Sequence, residues 1–201
     1  MSLLYEYDEA VGENSGTFCG VDEAGRGPLA GDVYAAAVIL YPDNPIEGLN
    51  DSKKLSEKKR ELLYDEIIEK AEDYCIAKAT IAEIEEMNIL NAAMLAMKRA
   101  VSGLKSSVDL ALIDGNKIPD IPCEARAVVK GDGLSASIAA ASILAKVTRD
   151  RHMREMAEKY PEYGFEKHKG YGTKLHIEKI LELGACPLHR QSFLRKIYAK
   201  K

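Results

Sequence analysis

Short apolar runs along the chain alternate with longer segments in which apolar residues recur every three or four positions. The first pattern is typical of buried strands and the second of amphipathic helices. The apolar runs predict five strands, at residues 17–21, 33–41, 74–80, 108–113 and 126–130. The helical spacing predicts helices at about 56–73, around 90–101, at 135–159 and at 173–183. Ser56 and Thr173 are suitable N-caps for two of these helices.

The order of these elements predicts an α/β fold. Strands lead the chain and helices then alternate with strands, which favours a mixed sheet with helices on its faces. No strand is predicted beyond about residue 165. We therefore expect a main domain at residues 1–164 and a small C-terminal helical appendage at residues 165–201.

Composition and charge narrow the classes of protein. The 201 residues include 28 Lys and Arg against 32 Asp and Glu, and the net charge of −4 argues against a uniformly basic nucleic-acid-binding protein. The charge is uneven, since residues 1–50 carry a net −8 and residues 151–201 a net +6. Such polarity suits a carboxylate-rich site beside a basic surface, although solvated faces arising by chance give the same counts.

Neither membrane insertion nor export is indicated. The longest apolar runs fall far short of the ~18–20 residues that cross a bilayer, and residues 1–11 contain no Lys or Arg for an export signal. The four cysteines are far apart and form no CxxC pair, so they predict neither a disulfide framework nor a zinc site. We expect a cytoplasmic protein that does not associate with membranes.

Four carboxylates occupy the ends of predicted strands. Asp22 and Glu23 follow the first strand, Asp114 follows the fourth, and Asp132 comes just after the fifth. Open α/β sheets place their sites at such ends, but adjacent Asp22 and Glu23 can share one site only if the chain turns there. Clustered carboxylates repel each other unless a divalent cation lies between them, and oxygen-only ligands select Mg²⁺ or Mn²⁺. Separate turns or helix caps explain the same acids equally well.

A glycine-rich turn follows the first pair of acids. Gly25, Arg26 and Gly27, with Ala30, fit the loose GxGxxG/A dinucleotide fingerprint, but a strand rather than a helix follows. The turn nevertheless gives a ligand close access to bare backbone, with Arg26 available for a phosphate or an ion pair. The alternative is that these glycines only form the turn of a β-hairpin.

Several sequence blocks occur together in one order. They are DEAGRGPLAG (22–31), NDSKKLS (50–56), IDGN (113–116), KGD (130–132), SIAAASILAKVTRDR (137–151) and KHKGYGT (167–173). Read together, these blocks closely resemble the ribonuclease HII family, the bacterial type 2 ribonucleases H, over roughly residues 17–193. Asp32 departs from the family's usual proline, and this extra acid could perturb the nearby metal site or face solvent.

The resemblance implies a ribonuclease H-like fold and a site of four carboxylates, Asp22, Glu23, Asp114 and Asp132, that holds two Mg²⁺ or Mn²⁺ ions. It also implies that the backbone of Gly25, Arg26 and Gly27, together with Tyr171, recognises the ribonucleotide. Only the 2′-hydroxyl distinguishes RNA from DNA locally, so a closely approaching backbone and a held tyrosine make physical sense. A surface tyrosine packed on its own helix is the alternative for Tyr171.

Lysines near these motifs are candidate contacts to the phosphates of a duplex. Lys53 and Lys169 are the two that we assign to the substrate, with Lys54, Lys167 and Lys174 as neighbours. Solvated lysines are the alternative. The four histidines show no recurring ligand spacing and are expected to be structural.

The expected reaction is hydrolysis of the phosphodiester on the 5′ side of a ribonucleotide, in RNA:DNA hybrids and at single ribonucleotides in duplex DNA. The expected role is removal of misincorporated ribonucleotides by a monomer. A non-catalytic binder of hybrid duplexes and a Rossmann-type oxidoreductase are the alternatives. Ribonuclease HIII is disfavoured, because only sixteen residues precede the first strand. Residues 191–201 contain no clear clamp-binding peptide.

Overall fold

The computed structural model describes residues 3–199, and its centre is a mixed sheet of five strands in the order β3-β2-β1-β4-β5. The β1–β2 and β2–β3 pairs are antiparallel, whereas β1–β4 and β4–β5 are parallel. The α/β sheet expected from the sequence is thereby confirmed. The strands are β1 (Phe18–Ala24), β2 (Val33–Leu40), β3 (Ala71–Ala79), β4 (Leu110–Asp114) and β5 (Glu124–Val128).

Helices cover both faces of this sheet. They are α1 (Leu3–Ser15), α2 (Glu57–Lys70), α3 (Ile81–Ser102), α4 (Ala136–Lys159), α5 (Phe165–His168), α6 (Lys174–Leu183) and α7 (Gln191–Tyr198). Successive residues of a strand point to opposite faces, so Ala35 and Ala37 of β2 pack toward α3 while Ala36 and Val38 pack toward α2 and α4. The sheet is therefore buried between two helical layers.

Helix α4 lies unusually close to β1 because both elements carry small residues at the contact. A Cβ atom at Gly20 would lie 2.1 Å from the carbonyl carbon of Ser137 and 2.2 Å from the nitrogen of Ile138. Ala139 and Ala140 continue the small-residue surface and are completely buried. This approach brings the side chains of α4 against the strand that carries Asp22 and Glu23.

The first helix, α1, was not expected from the sequence. Its buried residues are Tyr5, Asp8 and Val11, which is too sparse an apolar pattern to predict a helix. Asp8 joins this helix to α4, since the Ser137 nitrogen and hydroxyl donate to Asp8 Oδ2 at 2.8 and 2.7 Å. The carboxylate thus satisfies one of the free N–H groups at the start of α4.

Helix α3 also begins earlier than the predicted position near residue 90. Thr80 and Glu83 form a capping box at its start. The helix then breaks at Asn88, whose φ is 71°, and the Asn88 side chain accepts from the Leu90 and Asn91 nitrogens. The apolar spacing recognised in the sequence therefore belongs to the second part of a kinked helix.

The C-terminal segment is helical, and its contacts cross the expected domain boundary. Ala30, Met153, Phe165 and Cys186 form one buried cluster. In addition, Ala30 makes an isolated β-bridge with His189. The division into residues 1–164 and 165–201 stays a prediction, and its last two residues lie outside the described part of the chain. Within residues 3–199, no helix is long and apolar enough to traverse a bilayer.

Replacing Gly20 by Ala is expected to lower the free energy of unfolding by about 3 kcal/mol, because overpacking is costly and the clash is with backbone atoms. Gly12→Ala in α1 is the matched control. Its Cβ would lie an ordinary 3.5 Å from the Phe18 ring, so a gain of about 0.5–1 kcal/mol is expected. Urea denaturation measures both changes. Unfolding of Gly20→Ala at the wild-type urea concentration would contradict the close α4–β1 packing.

Candidate active site

The register between two parallel strands brings Asp22 and Asp114 together. Val21 of β1 pairs with Ile113 of β4, and both residues pack into the core on the α3 side. Asp22 and Asp114 come next on their strands, so both side chains point toward α4. Asp22 is buried and Asp114 is half-buried.

Glu23 lies inside β1 rather than after it. The expected end of this strand at residue 21 was wrong, because pairing with β2 continues to Ala24. The chain turns only at Gly25, where φ is 105°. Glu23 remains half-buried, and its Oε1 accepts from Arg26 Nη1 at 3.3 Å. Its charge still acts on the same site, since both Asp114 and Lys53 influence its pKa.

Asp132 is held in a short 3-10 helix, Gly131–Gly133, that follows β5. The preceding Lys130 has a left-handed backbone with φ 58°, which reverses the chain toward β4. The Gly131 nitrogen then donates to Asp114 Oδ1 at 2.7 Å. This hydrogen bond ties the loop that carries Asp132 to the carboxylate at the end of β4.

The carboxyl groups disfavour each other's charged forms. Burial raises the pKa of Asp22 well above its ordinary value, and the charges of Glu23 and Asp114 raise it further. Burial and the charge of Asp114 likewise raise the pKa of Asp132. Burial also raises the pKa of Glu23, although Arg26 opposes the change. A positive charge placed among these groups would reverse the effect.

Lys53 supplies part of that positive charge. Burial lowers the pKa of its ammonium group, but the charges of Asp22, Asp132 and Asp51 outweigh burial and raise it. The loop that carries Lys53 is anchored to α4, because the Ser52 and Ser142 hydroxyls are 2.8 Å apart. A cavity of about 550 Å³ opens at this point. Its lining includes Asp51, Lys53, Lys54, Asp114, Lys130 and Asp132.

The donor chemistry of this site fits a hard divalent cation. The potential ligands are carboxylate oxygens, and their raised pKa values reflect burial first and mutual repulsion second, both of which a divalent cation offsets. The ligands are not already arranged around a point. Among residues 3–199, no three His, Cys, Asp or Glu side chains form a group that could hold a metal ion. A local hydrogen bond is part of the reason, because Asp22 Oδ1 accepts from the Glu23 nitrogen at 2.7 Å and is directed toward the backbone.

The glycine-rich turn and Tyr171 also come together. A Cβ at Gly27 would lie 3.9 Å from Tyr171 Cε1, and the Leu29 nitrogen donates to the Gly170 carbonyl at 2.8 Å. The Tyr171 side chain is 41% exposed. The turn leads into β2, so the structure lacks the strand-turn-helix arrangement of a dinucleotide-binding site.

Two cationic side chains of α4 lie beside the Tyr171 ring, and the sequence reasoning did not single them out. Lys146 Nζ is 5.5 Å and the Arg149 guanidinium carbon 5.6 Å from the ring centroid. Ser142, Lys146 and Arg149 recur at helical spacing, which places them on one face of α4. This row of polar residues in an otherwise largely apolar helix was the sequence pattern that could have identified them.

Arg190 is a second residue that was missed. It is completely buried, and its guanidinium donates to the carbonyls of Gly31 at 2.9 Å, Pro28 at 2.9 Å and Gly25 at 2.6 Å. A longer contact reaches the Arg26 carbonyl at 3.1 Å. The C-terminal segment therefore holds the glycine-rich turn in shape, and no local sequence pattern marks this arginine.

Two further residues differ from expectation. Asp32 neither faces solvent nor is free, because Lys78 Nζ donates to its Oδ2 at 2.7 Å and the Ile81 nitrogen to its Oδ1 at 3.0 Å. It is a buried cap at the start of α3. Lys169, expected to contact a phosphate, has its ammonium group bonded to the Glu166 carbonyl.

Comparison with known proteins identifies the family. Residues 19–199 match the family model described as Ribonuclease HII. The chain belongs to the ribonuclease HII family. A Ribonuclease HII of Shewanella pealeana is 61% identical over 178 residues, covering 89% of this chain and 88% of that protein. One from a Marinomonas species is 65% identical over 175 residues, covering 87% and 88%. The resemblance is thus confirmed: the chain is a type 2 ribonuclease H, an endonuclease acting on RNA:DNA hybrids.

Solved structures agree with this assignment. The ribonuclease H2 of Pyrococcus horikoshii, 29% identical, has a TM-score of 0.74 and covers 92% of this chain and 98% of its own. The RNase HII of Archaeoglobus fulgidus, solved in a complex with PCNA, is 25% identical with a TM-score of 0.67 over 87% and 94%. Bst-RNase HIII in complex with Mn²⁺ has a TM-score of 0.72 at 17% identity over 92% and 70%, which shows a shared fold. Metal dependence is a property of the ribonuclease H family.

Replacing Arg190 by Lys is expected to lower the free energy of unfolding by about 2–3 kcal/mol, because one ammonium group leaves several buried carbonyls without donors. Amide hydrogen exchange at residues 25–31 should accelerate at the same time. Arg195→Lys is the control, since Arg195 is exposed on α7 and should change neither measurement. Unchanged exchange in the turn would show that Arg190 does not support it.

Proposed function

We propose that this chain hydrolyses the phosphodiester on the 5′ side of a ribonucleotide, leaving 3′-hydroxyl and 5′-phosphate ends. The proposed substrates are RNA:DNA hybrids and single ribonucleotides embedded in duplex DNA. The observation that carries the proposal is the proximity of Asp22, Glu23, Asp114 and Asp132. Burial raises the pKa of Asp22, Glu23 and Asp132, and the charge of Asp114 raises each of them further. A role in removing misincorporated ribonucleotides would follow from the second substrate.

The four carboxylates would hold a pair of Mg²⁺ or Mn²⁺ ions, with Asp22 as the central residue of the group. Asp22 suits that role because it interacts with both Glu23 and Asp114 and is the most buried of the four. When bound, such ions lower the pKa of an attacking water and stabilise the leaving 3′-oxygen. Lys53, among the acids, would position a phosphate without reading sequence.

Recognition of the ribonucleotide would depend on the glycine-rich turn and Tyr171. The backbone of Gly25, Arg26 and Gly27 would approach the 2′-hydroxyl, and the Tyr171 ring would stack on the sugar. The adjacency of Gly27 and Tyr171, together with the exposure of the ring, supports this assignment. Lys169 would need to release the Glu166 carbonyl before it could bind a phosphate.

The alternative function, that of a non-catalytic binder of hybrid duplexes, disagrees with membership of the ribonuclease HII family. Such a protein would have no need for buried carboxylates that destabilise each other's charge, so we do not favour it. A sliding-clamp partner is also not proposed. Leu194 of the C-terminal helix is completely buried and Phe193 packs on the core, so α7 is committed to the fold.

Asp22→Asn tests the metal site. The change is expected to lower the cleavage rate by about 1,000-fold, equivalent to about 4 kcal/mol, because a neutral amide is a poorer ligand for divalent cations than a carboxylate. Duplex binding should persist. Without divalent ions the variant should be at least as stable as the wild type, since a buried charge is removed. The measurement is nicking of a duplex with one ribonucleotide in Mg²⁺.

Asp120→Asn is the matched control, because Asp120 is largely exposed and forms a surface ion pair with Lys98. It should cleave at the wild-type rate. Retained cleavage by Asp22→Asn would overturn the assignment of the carboxylates to the metal site.

Tyr171→Ala tests the sugar-reading assignment. Cleavage at a single ribonucleotide is expected to fall by about tenfold or more through loss of stacking, while affinity for plain duplex DNA stays within about twofold because phosphate contacts dominate it. Tyr198→Ala, at a tyrosine of similar exposure on α7, should leave both values unchanged. Equal losses of cleavage and plain-duplex affinity would count against a sugar-reading role.

A further inference from the structure

Three buried histidines next to Tyr171 have no role in the proposed reaction. His168, His176 and His189 pack around the Phe165 ring. The rings of His168 and His176 stack with centroids 4.2 Å apart, and those of His176 and His189 are 5.2 Å apart. Buried polar rings in such contact need a consistent set of donors and acceptors.

The hydrogen bonds of these rings determine where each proton lies. The Cys186 nitrogen donates to His189 Nδ1 at 2.9 Å, so this nitrogen is an acceptor and His189 carries its proton on Nε2. His189 Nε2 is 3.1 Å from His176 Nε2, and only one of this pair can donate when both rings are neutral. His189 is therefore the donor, and His176 carries its proton on Nδ1.

The hydrogen bond between His176 and Tyr171 indicates the same tautomer of His176. His176 Nδ1 lies 2.9 Å from the Tyr171 carbonyl oxygen, an acceptor that requires a proton on this nitrogen. The opposite tautomers would direct a lone pair at that carbonyl. They would gain the contact between His189 Nδ1 and the Cys186 carbonyl, which at 3.2 Å is longer than the bond from the Cys186 nitrogen. The Cys186 thiol, also 3.2 Å from Nδ1, can donate or accept and suits either tautomer.

His168 is satisfied separately. Its Nδ1 accepts from the Gly170 nitrogen at 3.2 Å, and its Nε2 donates to the Tyr163 carbonyl at 2.9 Å. Burial lowers the pKa of all three histidines, that of His176 to about 4. The rings are therefore neutral at ordinary pH, which agrees with the tautomers derived from the hydrogen bonds.

We propose that His176, oriented by His189, is a positioning residue that holds Tyr171 for reading the ribose. The bond from His176 Nδ1 joins two others at the same residue: the Tyr171 nitrogen donates to the His168 carbonyl, and the Thr173 nitrogen donates to the Tyr171 carbonyl, both at 2.8 Å. Between them these bonds determine the backbone on which the exposed ring stands. The inference rests on the sugar-reading role proposed above for Tyr171.

The hydrogen bonds that run from Cys186 through His189 and His176 to Tyr171 form a relay. This relay also joins the two halves of the proposed ribose-reading site. His189 directs the chain of bonds to Tyr171, while its neighbour Arg190 holds the carbonyls of the glycine-rich turn. One dipeptide thereby sets the spacing between Tyr171 and Gly27. A change in this spacing should reduce selective cleavage at a ribonucleotide without abolishing phosphate contacts.

Two substitutions of similar size separate the two bonds of His176. In His176→Asn the side-chain amide nitrogen replaces Nδ1 and can donate to the Tyr171 carbonyl, but contact with His189 is lost. In His176→Gln the amide group replaces Nε2, so contact with His189 can be kept while the bond to Tyr171 is lost. A merely structural histidine predicts losses of activity that follow stability in both variants.

The positioning role predicts a different result. For a duplex with one ribonucleotide, kcat should fall about tenfold in His176→Gln, the value of one hydrogen bond. It should stay within about twofold of wild type in His176→Asn, with KM unchanged in both because phosphate contacts remain. In a Tyr171→Ala background, His176→Gln should cause no further loss. Equal losses in Asn and Gln variants, or a full tenfold loss without Tyr171, would overturn the proposal.

The tautomers are measurable without activity. Imidazole ¹⁵N shifts of the resting protein should show His176 protonated on Nδ1 and His189 on Nε2, and the reverse assignment would overturn the relay itself. If these tautomers are found but Tyr171→Ala cleaves at a single ribonucleotide at the wild-type rate, the sugar-reading function fails. The positioning role, which depends on that function, then fails with it.

Discussion

The parallel register of β1 and β4 is the constraint on which the site depends. Because Val21 lies opposite Ile113, two aspartates emerge side by side on the face that α4 covers. Burying two such groups together is unfavourable, as the raised pKa of Asp22 shows. The acids stay close together, and neighbouring groups partly compensate their negative charge. Lys53 lies among them and the Gly131 nitrogen donates to Asp114. Repulsion among carboxylates at one point favours the binding of a cation there.

The C-terminal segment is structurally continuous with this site. The bridge between Ala30 and His189, the bond from the Leu29 nitrogen to the Gly170 carbonyl, and the buried Arg190 guanidinium join residues far apart in sequence. The glycine-rich turn cannot obtain its shape from local sequence alone. A side chain at Gly25 would come within 2.4 Å of Arg149 Nε, so the turn, α4 and the C-terminal segment must pack as one unit.

The sequence predicted those parts of the molecule whose cause is local. Strands with continuous apolar runs, the Thr173 cap and the acids at strand ends follow from patterns within a few residues. Helix α1 was not predicted because only three of its residues are buried. The end of β1 was predicted too early because pairing with β2 continues past the charged residue Glu23. Arg190 and Asp32 could not be interpreted, since each is explained by partners remote in sequence. Tertiary partners, not propensity, decide such positions.

Charge illustrates the same distinction between sequence and structure. The excess of bases at residues 151–201 suggested a basic surface, yet several of these bases are engaged by other groups of the protein. Arg190 is buried against carbonyls, Arg151 pairs with Glu61 of α2 at 2.6 Å, and Lys179 pairs with Glu182 at 2.7 Å. Exposed pairs of this kind contribute little to stability, but they reduce the positive charge offered to a duplex. The phosphate contact proposed for Lys53 differs from these pairs, because its ammonium group lies among the carboxylates themselves, where the proposed cleavage would occur.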